Sequence, residues 1–303
     1  MNTKPDQSGS GSYGVHFKAS CLLLSLSACL FSANGLATSL AYRPETGICG
    51  AAVDGELEKV IEYLKANPTA MTERDAGRTP LHWASESGRT NVVEYLLSIG
   101  VDAKLGDAER FTPLHSAAAF RHTGVVKSLL DHGADPKAVA EGGYSVLLSA
   151  CSGWPKKEII ELLIEAGADP NVKSDDGVTP LQKLSFREPP ETLKLLLAAG
   201  VNVNQVGWEG TTALHWAIDG DNVEVAHLLA ESGADDTARN EKGTTALARV
   251  SEKAAQNDFG RHLKWKRVAS ILAKNAKLKE PASVESPTSK KPAHKFNRRH
   301  KNT

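Results

Sequence analysis

The sequence predicts an all-α solenoid of about seven helix-turn-helix repeats joined by β-turn loops, and three observations carry that prediction. Thr79-Pro80-Leu81-His82 recurs as Thr112-Pro113-Leu114-His115, Ser145-Val146-Leu147-Leu148, Thr179-Pro180-Leu181-Gln182, Thr212-Ala213-Leu214-His215 and Thr245-Ala246-Leu247-Ala248, in steps of 33, 33, 34, 33 and 33 residues. A weaker copy, Thr46-Gly47-Ile48-Cys49, stands 33 residues before the first. A second landmark follows in phase: Leu96-Leu97 with Gly100, Leu129-Leu130 with Gly133, Leu162-Leu163 with Gly167, Leu196-Leu197 with Gly200, and Leu228-Leu229 with Gly233. Finally, 41% of the 303 residues are hydrophobic, enough for a sizeable core, although no unit of this length buries its own apolar face alone.

Each repeat has a physical reading. Thr79 suits a helix N-cap, and Pro80 the first helical position, where no amide donor is missed. Leu81 and Ala84 then point into the seam between two short antiparallel helices. Val92, Val93, Leu96 and Leu97 give the second helix one apolar face. Gly100 ends it in the left-handed conformation that glycine adopts without steric penalty. Turn pairs such as Asp176-Gly177 and Glu209-Gly210 lead into the next unit.

At these residues the chain resembles the ankyrin family, over nearly all of positions 42 to 277. The expected repeats are 42–74, 75–107, 108–140, 141–174, 175–207, 208–240 and 241–277, the first and last degenerate as water-facing caps. The fourth carries a one-residue insertion at Trp154-Pro155, and the seventh about ten extra residues before Val268-Ala269-Ser270-Ile271-Leu272 restores the pattern.

Two flanks differ from this body. Residues 1–37 read as a leader: a polar start, Lys18, an apolar run from Ala19 to Ala33 too short to span a bilayer as a helix, then Gly35 and Ala37 as a cleavage signal. Leu26-Ser27-Ala28-Cys29 also resembles the lipobox of bacterial lipoproteins, which makes Cys29 a lipidation candidate. The long polar stretch before Val15 admits a translation start there. On either leader reading the protein is exported, to the periplasm, the envelope or the medium; with the leader retained it is cytoplasmic. Residues 278–303 are rich in Pro, Ser, Lys and Arg and are expected to be a disordered basic tail.

The formal net charge of zero conceals a division. Residues 42–240 hold 18 Lys+Arg against 30 Asp+Glu, whereas residues 241–303 hold 16 against 5. The basic end, through Arg261, Lys264, Lys266, Arg267, Lys290, Lys291, Arg298 and Arg299, is the candidate for an anionic surface, nucleic acid or lipid. Cys49 and Cys151 lie three repeats apart, too far for a disulfide, and are expected as free, half-buried thiols.

Catalysis finds no constellation. There is no phosphate loop, nucleophile elbow or zinc-spaced Cys/His set, so no catalytic residue, metal ligand or cofactor is assigned. The resemblance implies that His82, His115 and His215 brace turns, and Trp83 and Trp216 are expected to pack in the seam. It also implies binding of another protein by a monomer along the concave face, built from turn tips and the outer side of each first helix. The positions this selects are Arg78, Glu86, Arg110, Phe111, Phe120, Tyr144, Phe186, Arg187, Trp208 and Asp219. Phe111, Phe120, Tyr144 and Phe186 form the expected anchor stripe, aromatic residues being favoured at binding hot spots.

Overall fold

The computed structural model describes residues 43–255 and 261–279, without the side chains of Arg187 and 276–279. The leader with Cys29, and the tail with Lys290, Lys291, Arg298 and Arg299, lie outside them. The described chain forms seven helix pairs: α1 Gly47–Asp54 and α2 Leu57–Ala66, α3 Pro80–Glu86 and α4 Thr90–Ser98, α5 Pro113–Ala119 and α6 Thr123–Asp131, α7 Val146–Ala150 and α8 Lys157–Glu165. The series continues with α9 Pro180–Arg187 and α10 Pro190–Ala198, α11 Ala213–Asp219 and α12 Val223–Glu231, α13 Ala246–Ala255 and α14 Arg261–Lys279. Bridges such as Val139 to Ser145 and Arg239 to Thr245 are the only sheet-like pairing among the described residues, so the linking turns are hairpin tips rather than strands.

The stack has one continuous core. First helices contribute Leu81, Leu114, Leu147, Leu181 and Leu214; second helices contribute Val92 and Leu96, Val125 and Leu129, Ile159 and Leu163, Leu193 and Leu196, and Val225 and Leu229, all buried. Trp265, Val268 and Leu272 of α14 close the last repeat against this core.

Two local features depart from the repeat. The insertion expected at Trp154-Pro155 shortens α7 to five residues and leaves Trp154 78% exposed. At the third tip Arg110 sits at φ 64°, in the region its Cβ disfavours. Arg110→Gly is therefore expected to stabilise the array by about 0.5–1 kcal/mol, the relief of strain exceeding the entropic cost of glycine; an unchanged urea midpoint would contradict it.

Candidate protein-binding face

One side-chain position ties each repeat to the next. In α3 the backbone N–H of Thr79 donates to His82 Nδ1 at 3.3 Å, so the ring proton sits on Nε2, which donates to the carbonyl of Phe111 at 3.0 Å. His115 does the same between Thr112 and the Tyr144 carbonyl, and His215 between Thr212 and the Thr244 carbonyl. Gln182 reproduces the arrangement with an amide: Oε1 accepts from Thr179 N–H at 3.0 Å and Nε2 donates to the Thr211 carbonyl at 2.9 Å. Even Cys49 follows the rule, its thiol directed at the Arg78 carbonyl at 4.0 Å. The recurring histidines are thus braces, each joined to a different turn.

Burial holds these groups neutral. It pushes His82 down to about 3 and His115 to about 4, lowers His215, and pushes the Cys49 thiol up to about 12. Unfolding returns each imidazole to its ordinary value near 6.5. The native state then binds fewer protons than the unfolded state. The stability is complete above about pH 6.5 and is lost as pH falls toward the folded values, by up to about 1.4 kcal/mol per pH unit per histidine. Urea titrations at pH 7 and pH 5 should show this loss. The triple variant His82→Gln, His115→Gln, His215→Gln, which copies the brace that Gln182 already makes, should keep the fold and flatten the dependence; an unchanged slope would place the acid sensitivity elsewhere.

In the second to sixth repeats the residue before the capping position points inward rather than out. Phe111 and Tyr144 are 5% and 8% exposed and form a second apolar cluster with Ala140, Leu148 and Val178, against which half-buried Trp208 packs. Phe111 also meets His115 edge to face, ring centroids 5.5 Å apart. These aromatics form a spine joining successive tips, which corrects the expectation that they anchor a partner. Arg78 is corrected likewise: it is 6% exposed, paired with Glu86 at 2.5 Å and Asp107 at 3.3 Å, and its guanidinium lies over the Trp83 ring at 5.3 Å. Glu86 belongs to that network.

The loop-side ends of the first helices present the remaining aromatics. Phe120 and Phe186 are half-buried, and Phe186 stands edge to face with Trp216, centroids 6.1 Å apart. Trp216 donates to Thr211 Oγ1 at 2.9 Å and stays partly accessible, unlike the buried Trp83. Seam packing therefore holds for Trp83 but only partly for Trp216. Arg110 and Asp219 are exposed, Asp219 being paired with Arg249. Arg187 closes α9. The residue missed from sequence is Trp154, which reads there only as an insertion.

The basic end is partly committed within the chain. Arg261 pairs with Asp221 at 2.6 Å and Lys264 with Glu224 at 2.9 Å, which lowers the Glu224 carboxyl, and Lys253 joins Asp221 at 3.2 Å. Arg261 and Lys264 thus make surface ion pairs between α14 and the sixth repeat while staying mostly exposed. Lys266 and Arg267 are exposed. Cys49 and Cys151 are free and fully buried rather than half-buried. Among the described residues no group of three or more His, Cys, Asp or Glu could hold a metal ion, and no helix is long and apolar enough to cross a membrane.

Comparison with known proteins agrees with this geometry. The family model for ankyrin repeats (three copies) matches residues 48–140 and 147–249. The 26S proteasome non-ATPase regulatory subunit 10 of Homo sapiens is 42% identical over 55 residues, 18% of this chain and 24% of that protein. The Mus musculus protein of the same name gives the same identity over the same span, so the chain spans 24% of the length of these curated relatives. The crystal structure of the ankyrin repeat domain of Bcl-3, described as a unique member of the IkappaB protein family, superposes with a TM-score of 0.61 at 27% identity. That match covers 77% of this chain and 100% of the Bcl-3 chain.

Proposed function

Since the chain belongs to the ankyrin-repeat family, whose members are in general non-catalytic protein-binding modules, we propose that it holds a partner protein along its first-helix face, the concave side of such an array. The observation that carries this reading is the run of accessible aromatics at the loop-side ends of α5, α7 and α9: Phe120, the 78% exposed Trp154, and Phe186 with Trp216. Aromatic side chains supply large contact area at little cost in rotamer freedom and are enriched at binding hot spots. The partner then replaces solvent over these rings.

Site-specific photo-crosslinking in the native cells tests this. A crosslinking amino acid at Phe120, Trp154 or Phe186 should trap one discrete protein, while the same group at Glu161 or Lys194, exposed on second helices, should not. Equal trapping from both faces would overturn the reading.

We further propose that the array acts outside the cytoplasm, on the strength of the apolar run from Ala19 to Ala33 behind Lys18. Intact mass and N-terminal peptide mapping of the native protein decide it. A chain starting near Thr38, or at an acylated Cys29, supports export; peptides from residues 19–37 in the mature protein refute it.

A further inference from the structure

The charge of the second helices changes sign at the last one. Together α2, α4, α6, α8, α10 and α12 hold 10 acidic residues against 5 basic, whereas the 19-residue α14 holds 7 basic residues and no acidic one. The described side chains of α14 divide by face. Trp265, Val268 and Leu272 are buried where α14 packs on α12 and α13. Arg261 and Lys264 flank that face and reach Asp221 and Glu224 of the sixth repeat. Leu263, Lys266, Arg267, Ser270 and Lys274 lie on the opposite side, at the i, i+3, i+4, i+7, i+11 spacing of one helical stripe. All five are exposed, Leu263 by 62%. The ion pairs of this repeat are made by Lys242, Arg249, Lys253, Arg261 and Lys264; none engages Lys266, Arg267 or Lys274 among the described residues.

We propose that this stripe docks the array on an anionic lipid surface, Lys266, Arg267 and Lys274 meeting the phosphates and Leu263 entering the headgroup layer. Such a surface offers both negative charge and an apolar layer beneath it, and the stripe presents three cations with an exposed aliphatic side chain at one end. Nucleic acid fits less well. Sequence-independent binding of single strands uses rings on which bases stack, and the indole of α14, Trp265, is 1% exposed. The acidic excess of residues 42–240 orients the approach, since an anionic bilayer repels the body and attracts α14. The stripe faces away from α13, so docking leaves the first-helix face open to a partner protein. This surface is distinct from the partner face and does not depend on it.

The test is cosedimentation of the full chain with vesicles of phosphatidylcholine alone or with about one-third phosphatidylglycerol, at low and high salt. The anionic vesicles should bind far more tightly, and high salt should release the protein. An acyl chain at Cys29 would bind both vesicle types alike, so the comparison holds with or without it. Each cation near such a surface contributes about fivefold, so the triple variant Lys266→Gln, Arg267→Gln, Lys274→Gln should weaken binding on the order of 100-fold. Leu263→Ser should weaken it about fivefold. A control triple variant, Lys127→Gln, Lys157→Gln, Lys194→Gln, removes the same charge from exposed positions on earlier second helices and should stay within about twofold of the parent. Equal binding to both vesicle types, no binding, or equal losses from the two triple variants overturns the docking stripe. A Leu263→Ser variant that binds as the parent does removes the lipid layer from the account. Tighter binding of an oligonucleotide than of anionic vesicles, lost in the α14 triple variant, reassigns the stripe to nucleic acid. Crosslinking from Phe120, Trp154 or Phe186 decides the partner face separately, so either reading can fail alone.

Discussion

Arg78→Ala should destabilise the array by about 3–5 kcal/mol, because it leaves the carboxylates of Glu86 and Asp107 buried without a counter-charge. Arg78 is 6% exposed, and the side chains of Glu86 and Asp107 are 11% and 8% exposed. Asp107 has a second duty: its Oδ1 accepts from the N–H groups of Glu109 and Phe111 at 3.0 and 2.9 Å and so shapes the third tip. The variant therefore weakens a turn as well as a junction. Replacing the whole network, Arg78→Met with Glu86→Leu and Asp107→Asn, should recover most of the loss, since the asparagine carbonyl can still accept those two bonds. Urea denaturation of the single and triple variants checks this. A loss below about 1 kcal/mol for Arg78→Ala would show that water reaches the pair and screens it as at a surface.

Gly220→Ala should be the second most damaging single change. In an ordinary helix end, alanine for glycine is favourable by up to about 1 kcal/mol. Gly220 has φ −73°, so nothing in its own backbone asks for glycine. Its neighbour does: a Cβ there would stand 1.6 Å from the carbonyl oxygen of Phe186. Relief requires α9 and α11 to separate, and the expected cost is about 1–3 kcal/mol, toward the upper end because backbone must move rather than a flexible side chain. The separation would also pull Phe186 from Trp216. Near-ultraviolet circular dichroism should report the altered aromatic packing even where the protein stays folded, and a Gly220→Ala variant as stable as the parent would show that the two helices can slide apart freely.

What the sequence made legible was whatever repeats. The 33-residue spacing located the caps, the paired helices and the glycine after each second helix, because each is fixed by chemistry within a few residues of itself. The direction of the residue before each cap was not legible. Period alone marks Phe111 and Tyr144 as tip residues, but whether they face solvent depends on the adjoining hairpin, Ala140 and Val178 included. Gly220 reads as an exposed helix end for a similar reason, its constraint coming from a carbonyl 34 residues earlier in the chain. The pairing of Arg261 and Lys264 with Asp221 and Glu224 spans 40 residues and depends on where a non-repeating helix docks.

The bridging position skips one junction. Where His82, His115, Gln182 and His215 reach the following turn, Leu148 offers a hydrocarbon, so the fourth and fifth repeats share no such bond. A second ladder, Arg89 to the Val53 carbonyl, His122 to that of Glu86 and Asn222 to that of Glu188, also has no member there, Pro189 holding the corresponding place. The tip bond from Asp175 N–H to the Gly142 carbonyl at 2.8 Å remains, with two bonds between the following loops, Asn202 N–H to Asn171 Oδ1 at 2.7 Å and Gln205 Nε2 to the Asn171 carbonyl at 2.9 Å, and apolar contact. In a linear stack, cooperativity is set by nearest-neighbour coupling. Coupling across this seam is accordingly carried by turns, loops and apolar packing rather than by a polar bond from the first helix, and a partner seated across it acts as a splint.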